Sequence, residues 1–174
     1  AGYALQVLDV TDPSQPSILG RLDLDFGVRK LALSGSLLVA AGGEAGLVLF
    51  DVADPSEPVE ISRHGANGEA VAVALVPGLA LVAEHGQAEQ SARGLLVFDI
   101  SDPAAPELIG TYSVGGEGAE AVAAFAKYAF LSGYGLHILD LSDPTQPIQV
   151  GSERAGWELA VSPSGRRLYT FDWL

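Results

Sequence analysis

One sixteen-residue pattern occurs four times in this chain and constrains its fold more than any other feature. The copies align without gaps at 5–20, 47–62, 95–110 and 136–151, and the second reads LVLFDVADPSEPVEIS. The first aspartates of the copies are 42, 48 and 41 residues apart, and eight of the ten prolines lie within the copies. Regular spacing of this kind indicates a repeated structural unit.

Each copy predicts a β-hairpin. The apolar run before the first aspartate has the length and composition of a buried strand. Asp-Pro then starts a turn, because proline fixes the backbone angle that the first corner of a turn requires. The second proline begins the next strand, and since it has no N–H to donate, we expect that strand at the outer edge of its sheet. We predict that the second aspartate of each copy accepts backbone N–H groups in the turn and has a structural role; these residues are Asp12, Asp54, Asp102 and Asp143.

Two further strands are predicted between successive hairpins. The first such pair is Arg29–Ser34 with Leu37–Ala41, and the others begin at Glu69, Glu120 and Glu158. Four strands per repeat without helical periodicity predict an all-β fold, a β-propeller of four-stranded antiparallel blades.

The motif resembles the LVIVD repeat, a bacterial family of propeller-type repeats named for its Leu-Val-Ile-Val-Asp strand. The resemblance extends over essentially the whole chain, because the strand, the acidic pair and both prolines recur in every copy. It implies a propeller, often in secreted or surface proteins, and it brings no reaction and no catalytic residues. The WD and kelch patterns are absent from the sequence.

The repeat spacing predicts a single domain over 1–174. It consists of a half-blade (1–24), three blades (25–65, 66–115 and 116–154) and a second half-blade (155–174). Joining the end to the start gives a step of 43 residues, so we predict four blades closed by pairing of the two half-blades. Alanines at matching inner-strand positions, 32, 72, 123 and 160, also favour few blades. The alternatives are a fragment of a larger propeller, or a dimer of two chains that completes an eight-bladed ring.

Composition limits the partners. The net charge of −13 argues against nucleic acids and anionic membranes. The longest apolar run, Ala70–Ala83, contains Pro77-Gly78 and is too short for a membrane span. There is no cysteine, which excludes disulfides and thiolate metal sites. Because methionine is absent even at position 1, we expect a processed or excised piece of a protein. The resemblance to LVIVD repeats implies an extracellular, cell-surface or periplasmic location.

Candidate ligand contacts lie in the loops that lead into the innermost strands. No cofactor with a defined ligand spacing is predicted, but carboxylates converging at a channel mouth would suit Ca²⁺ or Mg²⁺. The candidates are Glu69, Glu120 and Glu158. Alternatively, Glu69 and Glu120 pair with Arg29, Lys30 or backbone amides. Glu84 and His85 lack a third ligand for a zinc site. The full set of ligand-face candidates is Phe26, Arg29, Glu69, Glu120, Trp157 and Glu158.

Three functions are compatible with these features. The first is a non-catalytic binding module that holds a protein or carbohydrate ligand. The second is a hydrolase or lyase that depends on a divalent cation at the channel mouth. The third is a structural spacer. The sequence contains no G-x-S-x-G, P-loop or HExxH motif, so no catalytic residue is predicted.

Overall fold

The computed structural model describes residues 2–65, 68–86, 94–116, 118–154, 156 and 158–171. Sixteen β-strands form in these residues, and no helix among them is long and apolar enough to cross a membrane. The strands are β1 (Tyr3–Asp9), β2 (Ser17–Leu24), β3 (Lys30–Ser34), β4 (Leu37–Ala41), β5 (Leu47–Asp51), β6 (Val59–His64), β7 (Glu69–Val76), β8 (Leu79–His85), β9 (Gly94–Asp99), β10 (Glu107–Ser113), β11 (Ala121–Phe125), β12 (Tyr128–Gly133), β13 (Gly135–Asp140), β14 (Ile148–Glu153), β15 (Glu158–Val161) and β16 (Leu168–Phe171).

The strands are arranged as meanders in five separate sheets. Three sheets have four antiparallel strands each: β3–β6 is the first blade, β7–β10 the second and β11–β14 the third. Two-stranded sheets flank them, an N-terminal half-blade of β1 and β2 and a C-terminal half-blade of β15 and β16. The predicted all-β fold with four-stranded antiparallel blades is therefore confirmed.

The second proline of each copy lies just outside the outer strand. In each case the strand begins one residue later, at Ser17, Val59, Glu107 or Ile148. Proline has no N–H for the ladder, so the first residue that can donate follows it. The outer strands β2, β6, β10 and β14 each lie at the edge of their sheet, as predicted.

Every hairpin formed by a motif copy contains a register shift at the same place, one residue before the last residue of the copy. In the first three copies, the residue after the shift comes close to the Asp-Pro turn of the next blade. Ser62 Oγ donates to the Pro103 carbonyl at 2.6 Å, whereas a Cβ on Gly110 would overlap the Pro144 carbonyl. The junction pairs are Gly20 with Pro55, Ser62 with Pro103, and Gly110 with Pro144.

Apolar side chains fill the spaces between neighbouring sheets. Phe50 is fully buried between the N-terminal half-blade and the first blade, and Phe98 belongs to the cluster between the first and second blades. Leu81 and Leu131 are fully buried between the second and third blades. The second blade is covered on both faces by its neighbours, and this burial of apolar strands accounts for a positive mean hydropathy of +0.29 without a membrane span.

The pairing of half-blades that would close the predicted ring is not detected within the described ranges. Among the residues that the structure describes, β16 is hydrogen-bonded only to β15, and β1 only to β2. Each half-blade packs against the blade next to it along the chain. Counting repeat periods does not reveal the angle between blades, because side-chain packing between sheets sets that angle.

Candidate ligand-binding face

The loops that lead into the inner strands lie at one rim of the assembled sheets. Because the strands within each blade are antiparallel, the β4–β5 and β12–β13 turns lie at this same rim, and the Asp-Pro turns lie at the opposite one. At the opposite rim, each second aspartate accepts the backbone N–H of the residue two positions later, at 2.9–3.0 Å. The turn aspartates are therefore remote from the loops that carry the ligand-face candidates.

A cleft of about 420 Å³ opens on the loop rim between the N-terminal half-blade and the first blade. Its lining includes three predicted candidates, Phe26, Arg29 and Glu69. Sequence reasoning missed Tyr3, which also lines the cleft and is 59 % exposed. The remaining lining is Asp25, Gly27, Val28, Gly42, Gly43, Glu44 and Ala45.

Phe26 forms part of the floor of this cleft. It is only 9 % exposed and belongs to the apolar cluster of the first blade. The Arg63 guanidinium lies 4.5 Å from the centre of its ring, a cation–π arrangement. Phe26 therefore acts mainly as a core residue.

Arg63, on β6, is held by two carboxylates. Its guanidinium donates to Glu60 and to Asp25, each at 3.0 Å. These hydrogen bonds raise the pKa of Arg63, and the bond from Arg63 lowers the pKa of Asp25. Arg63 directly follows the second motif copy. Nothing in the sequence pattern indicates that its side chain lies at the loop rim.

Arg29 and Glu69 join the first and second blades across the cleft. Arg29 Nη2 donates to Glu69 Oε2 at 2.9 Å. Beside them, the backbones of Gly43 and Ala70 exchange hydrogen bonds at 3.0 and 2.9 Å. The ion pair is exposed, so it contributes about 0–1 kcal/mol and mainly orients the two side chains.

A second polar junction joins the second and third blades. His85 Nε2 lies 3.3 Å from Glu120 Oε1. Glu84 is 1 % exposed; its carboxylate accepts the Gly68 N–H and its carbonyl accepts the Ala119 N–H, both at 2.9 Å. These contacts hold the loop ends of β7, β8 and β11 together.

The four inner strands converge on a cavity of about 120 Å³. Arg29, Lys30, Glu120 and Glu158 line it together with apolar residues of β7, β11 and β15. The cavity mouth thus carries both signs of charge. Among the described ranges, no three His, Asp or Glu side chains are grouped so as to hold a metal ion, and the trio of Glu69, Glu120 and Glu158 is not assembled. Trp157 lies outside the described residues.

A third cleft, of about 460 Å³, lies on the third blade. Tyr134 and His137 line it, and His137 Nδ1 is 3.0 Å from Gln149 Oε1. Tyr112, from the second blade, also contacts both His137 and Gln149 through its hydroxyl. Burial raises the pKa of Tyr112. This cluster holds the second blade against the third.

A family model for the LVIVD repeat matches residues 2–23, 27–64, 89–114 and 116–153. The chain belongs to the LVIVD repeat family. The matched LVIVD segments contain the apolar strands and the Asp-Pro turns of all four copies. Phe26 and Glu69 lie between matched segments, whereas Tyr3 and Arg29 lie within them, and the match itself assigns no role to these residues.

Among solved structures, the chain is similar to a computationally designed protein, Ika8. The identity is 11 %, the TM-score is 0.63, and the match covers 84 % of this LVIVD chain. The chain spans less than half of the designed protein, 44 % of its length. This likeness concerns the fold alone. No curated protein matches the chain in sequence.

Proposed function

We propose that this LVIVD-repeat chain is a non-catalytic binding module of a secreted or cell-surface bacterial protein, and that its ligand occupies the cleft beside Tyr3. The observation that carries the proposal is the convergence of Arg29, Glu69 and an exposed tyrosine on one concave site. A cleft of about 420 Å³ lies within the size range of small-ligand sites.

The lining of the cleft favours a ligand rich in hydrogen-bond donors. Asp25, Glu44 and Glu69 supply carboxylates, and Tyr3 supplies an exposed ring. A sugar can stack on such a ring while its hydroxyls donate to carboxylates. A basic protein segment would suit the same carboxylates and the net charge of −13. The cleft therefore fits a carbohydrate or a basic stretch of a partner protein.

The secreted, cell-surface or periplasmic setting rests on the family. LVIVD repeats often occur in such proteins, and a chain without cysteine folds equally in oxidising and reducing compartments. Expression of the parent gene with a reporter fused after residue 174 would locate the product.

A pair of arrays tests the binding proposal. Labelled protein is applied to an array of bacterial surface oligosaccharides and to an array of basic peptides, and the best hit is titrated by calorimetry. We expect Tyr3→Ala and Arg29→Ala each to weaken binding at least about tenfold, because each removes a contact inside the cleft.

Tyr134→Ala is the matched control, since Tyr134 is 86 % exposed and lines the separate cleft on the third blade. It should leave the affinity unchanged. If the Tyr3 and Arg29 variants bind like the unmodified protein, the cleft is not the site. If neither array yields a hit, the spacer alternative gains support.

The alternative of a cation-dependent hydrolase has less support. Glu69 is engaged by Arg29, and Glu120 lies beside His85, so neither carboxylate faces an open cluster of oxygen ligands. Calcium sites need six to eight oxygens. Adding calcium to the protein during the same calorimetry would reveal a site, since a bound cation releases or absorbs heat.

A further inference from the structure

The turn between β12 and β13 presents one tyrosine at the loop rim of the third blade. Tyr134 lies between Gly133 and Gly135 in this turn and is 86 % exposed, more than any other large apolar side chain that the structure describes. Gly135 has a φ of 126°, a backbone conformation that side chains rarely adopt, so the turn requires glycine there. The tight turn holds Tyr134 at the surface.

The ring of Tyr134 is braced by the backbone of a neighbouring loop. A Cβ on Gly116 would lie 2.8 Å from Cδ2 and 3.1 Å from Cε2 of the tyrosine, so the ring packs directly against this glycine. The contact restricts the ring without covering it, since most of the side chain remains exposed. A fixed and exposed aromatic ring is a platform on which a ligand can stack.

Tyr134 lines the cleft of about 460 Å³ on the third blade, which we call the Tyr134 cleft. Its volume lies within the size range of small-ligand sites. Leu136 is the one aliphatic side chain in its lining and is only 7 % exposed, so the accessible wall is mainly polar. Such a wall does not suit an apolar side chain of a peptide. The other lining residues are Gly135, His137, Gln149, Ser152, Glu153 and Arg154.

A hydrogen-bond network orients the amide of Gln149. Its Oε1 accepts the proton of the Tyr112 hydroxyl and lies 3.0 Å from His137 Nδ1. Tyr112 belongs to β10 of the second blade, so the network crosses the junction between blades and is fixed by both. Because Oε1 is occupied and Gln149 is exposed, the two N–H donors of the amide are available to a ligand.

The same network favours one tautomer of His137. The Tyr112 hydroxyl donates to Gln149 Oε1, and His137 Nδ1 reaches that same oxygen. A carbonyl oxygen has two lone pairs and only accepts, so Nδ1 carries the proton and Nε2 is left as an acceptor. The lining of the Tyr134 cleft thus includes an imidazole acceptor beside a pair of amide donors.

The end of β14 adds one charge of each sign to the Tyr134 cleft. Glu153 and Arg154 both line it, and both are exposed. The Glu153 carboxylate accepts the backbone N–H of Arg154 at 2.9 Å, which holds the carboxylate near the strand end. The two charges balance. The cleft beside Tyr3 differs, because three carboxylates and one arginine line it.

The polar lining is specific to the third blade. His137 occupies the second position of its motif copy, where the first and second blades have Val48 and Leu96. Both of these residues are buried and apolar. The shared motif is therefore compatible with an apolar residue at this position, and the fold of a blade does not by itself require the imidazole.

We propose that the Tyr134 cleft binds an uncharged carbohydrate. Tyr134 stacks against one face of a sugar ring, whose C–H groups meet the negative face of the aromatic ring. Gln149, His137 and Glu153 bind the sugar hydroxyls. Each hydroxyl both donates and accepts, which matches a lining with donors and acceptors side by side. The balanced charge of the cleft favours a neutral ligand, and the proposal does not depend on the function of the cleft beside Tyr3.

Ligand-observed NMR with a panel of sugars tests the proposal. The probes are methyl glycosides and disaccharides of glucose, galactose, mannose and N-acetylglucosamine at millimolar concentration, with glucuronic acid and sialic acid as charged probes. We expect saturation transfer to at least one neutral sugar and a shift of the Gln149 side-chain amide resonances. Tyr134→Ala and Gln149→Glu should each raise the dissociation constant at least about tenfold. Gln149→Glu keeps an oxygen for Tyr112 and His137 and removes only the amide donors.

Tyr3→Ala is the matched control, since Tyr3 is also an exposed tyrosine but lines the other cleft. It should leave the affinity for the neutral sugar unchanged. Binding that is weakened by Tyr3→Ala but not by Tyr134→Ala would place the sugar in the other cleft and overturn the proposal. Saturation transfer to no sugar, or to the charged probes alone, would also overturn it. Circular dichroism of each variant verifies that it is folded.

Discussion

At the scale of single residues, the repeat uses small residues where blades meet and aspartates where chains turn. Gly20 and Gly110 allow a proline carbonyl to come closer than any Cβ would permit. Ser62 reaches the equivalent carbonyl through a hydrogen bond. The last position of the motif therefore tolerates Gly or Ser, because a larger side chain would push the next turn away.

Replacing Gly110 tests this requirement. We expect Gly110→Ala to lower the free energy of unfolding by about 1–3 kcal/mol, since the new Cβ overlaps the Pro144 carbonyl. Urea denaturation followed by fluorescence measures the change. Gly65→Ala is the control, because nothing lies within 4 Å of its Cβ position. Equal losses for the two variants would contradict the steric explanation.

The candidate site was only partly predictable at this scale. The loops around Phe26, Arg29 and Glu69 follow from strand order, which places them on one rim. Sequence alone does not reveal that Phe26 turns into the core beneath Arg63, because this depends on packing between β6 and the preceding loop. Tyr3 was missed because it belongs to a strand of the neighbouring half-blade.

At the scale of elements, the alanine shared by the inner strands sets how closely they approach. Ala32 packs in the cluster between the first and second blades, and Ala72, 5 % exposed, faces the third blade. Sequence alignment associated these alanines with a crowded axis. In the structure, Ala32 lies in the contact between the first and second blades, and Ala72 lies in the contact between the second and third blades and also lines the cavity where the inner strands converge.

Enlarging one of these alanines should separate two blades. We expect Ala72→Leu to lower the free energy of unfolding by about 1–3 kcal/mol through overpacking. Thermal unfolding followed by circular dichroism measures the effect. Ala105→Leu serves as control, since Ala105 lies in an exposed turn. A variant as stable as the unmodified protein would mean that the inner strands have room to adjust.

At the scale of the whole molecule, the stability of the fold depends on ionised aspartates that recur in the repeat. Hydrogen bonds lower the pKa of a set of turn and strand carboxylates, and in Asp140 the bonds from Lys127 and Ser142 lower it to about 2. A lowered folded-state pKa stabilises the fold above the unfolded value of 3.8, and this stabilisation disappears as pH falls through the folded-state pKa. The other members are Asp9, Asp12, Asp54, Asp99 and Asp143.

The variant Lys127→Gln tests how much Asp140 contributes to the pH dependence of stability. We expect the pKa of Asp140 to rise towards 3.8, measured by NMR titration of the carboxyl carbon, because its strongest partner is lost. The difference in urea midpoint between the two proteins should be present at pH 5 and shrink as the pH falls towards 2. Lys30→Gln, which removes the other lysine, should leave the Asp140 titration unchanged. An unchanged Asp140 pKa in Lys127→Gln would contradict the assignment.

The sequence by itself determined the repeat unit, the strand order within each blade and the rim at which each loop lies. These follow from local chemistry: proline in the turn, aspartate beside backbone N–H groups, and apolar runs of strand length. Only the tertiary structure decided how the blades pack, which side chains meet in the cleft, and that β1 and β16 are not paired with each other among the described residues. Those outcomes depend on packing between sheets that are distant in sequence. The same packing leaves Tyr169, Leu33 and Val10 exposed.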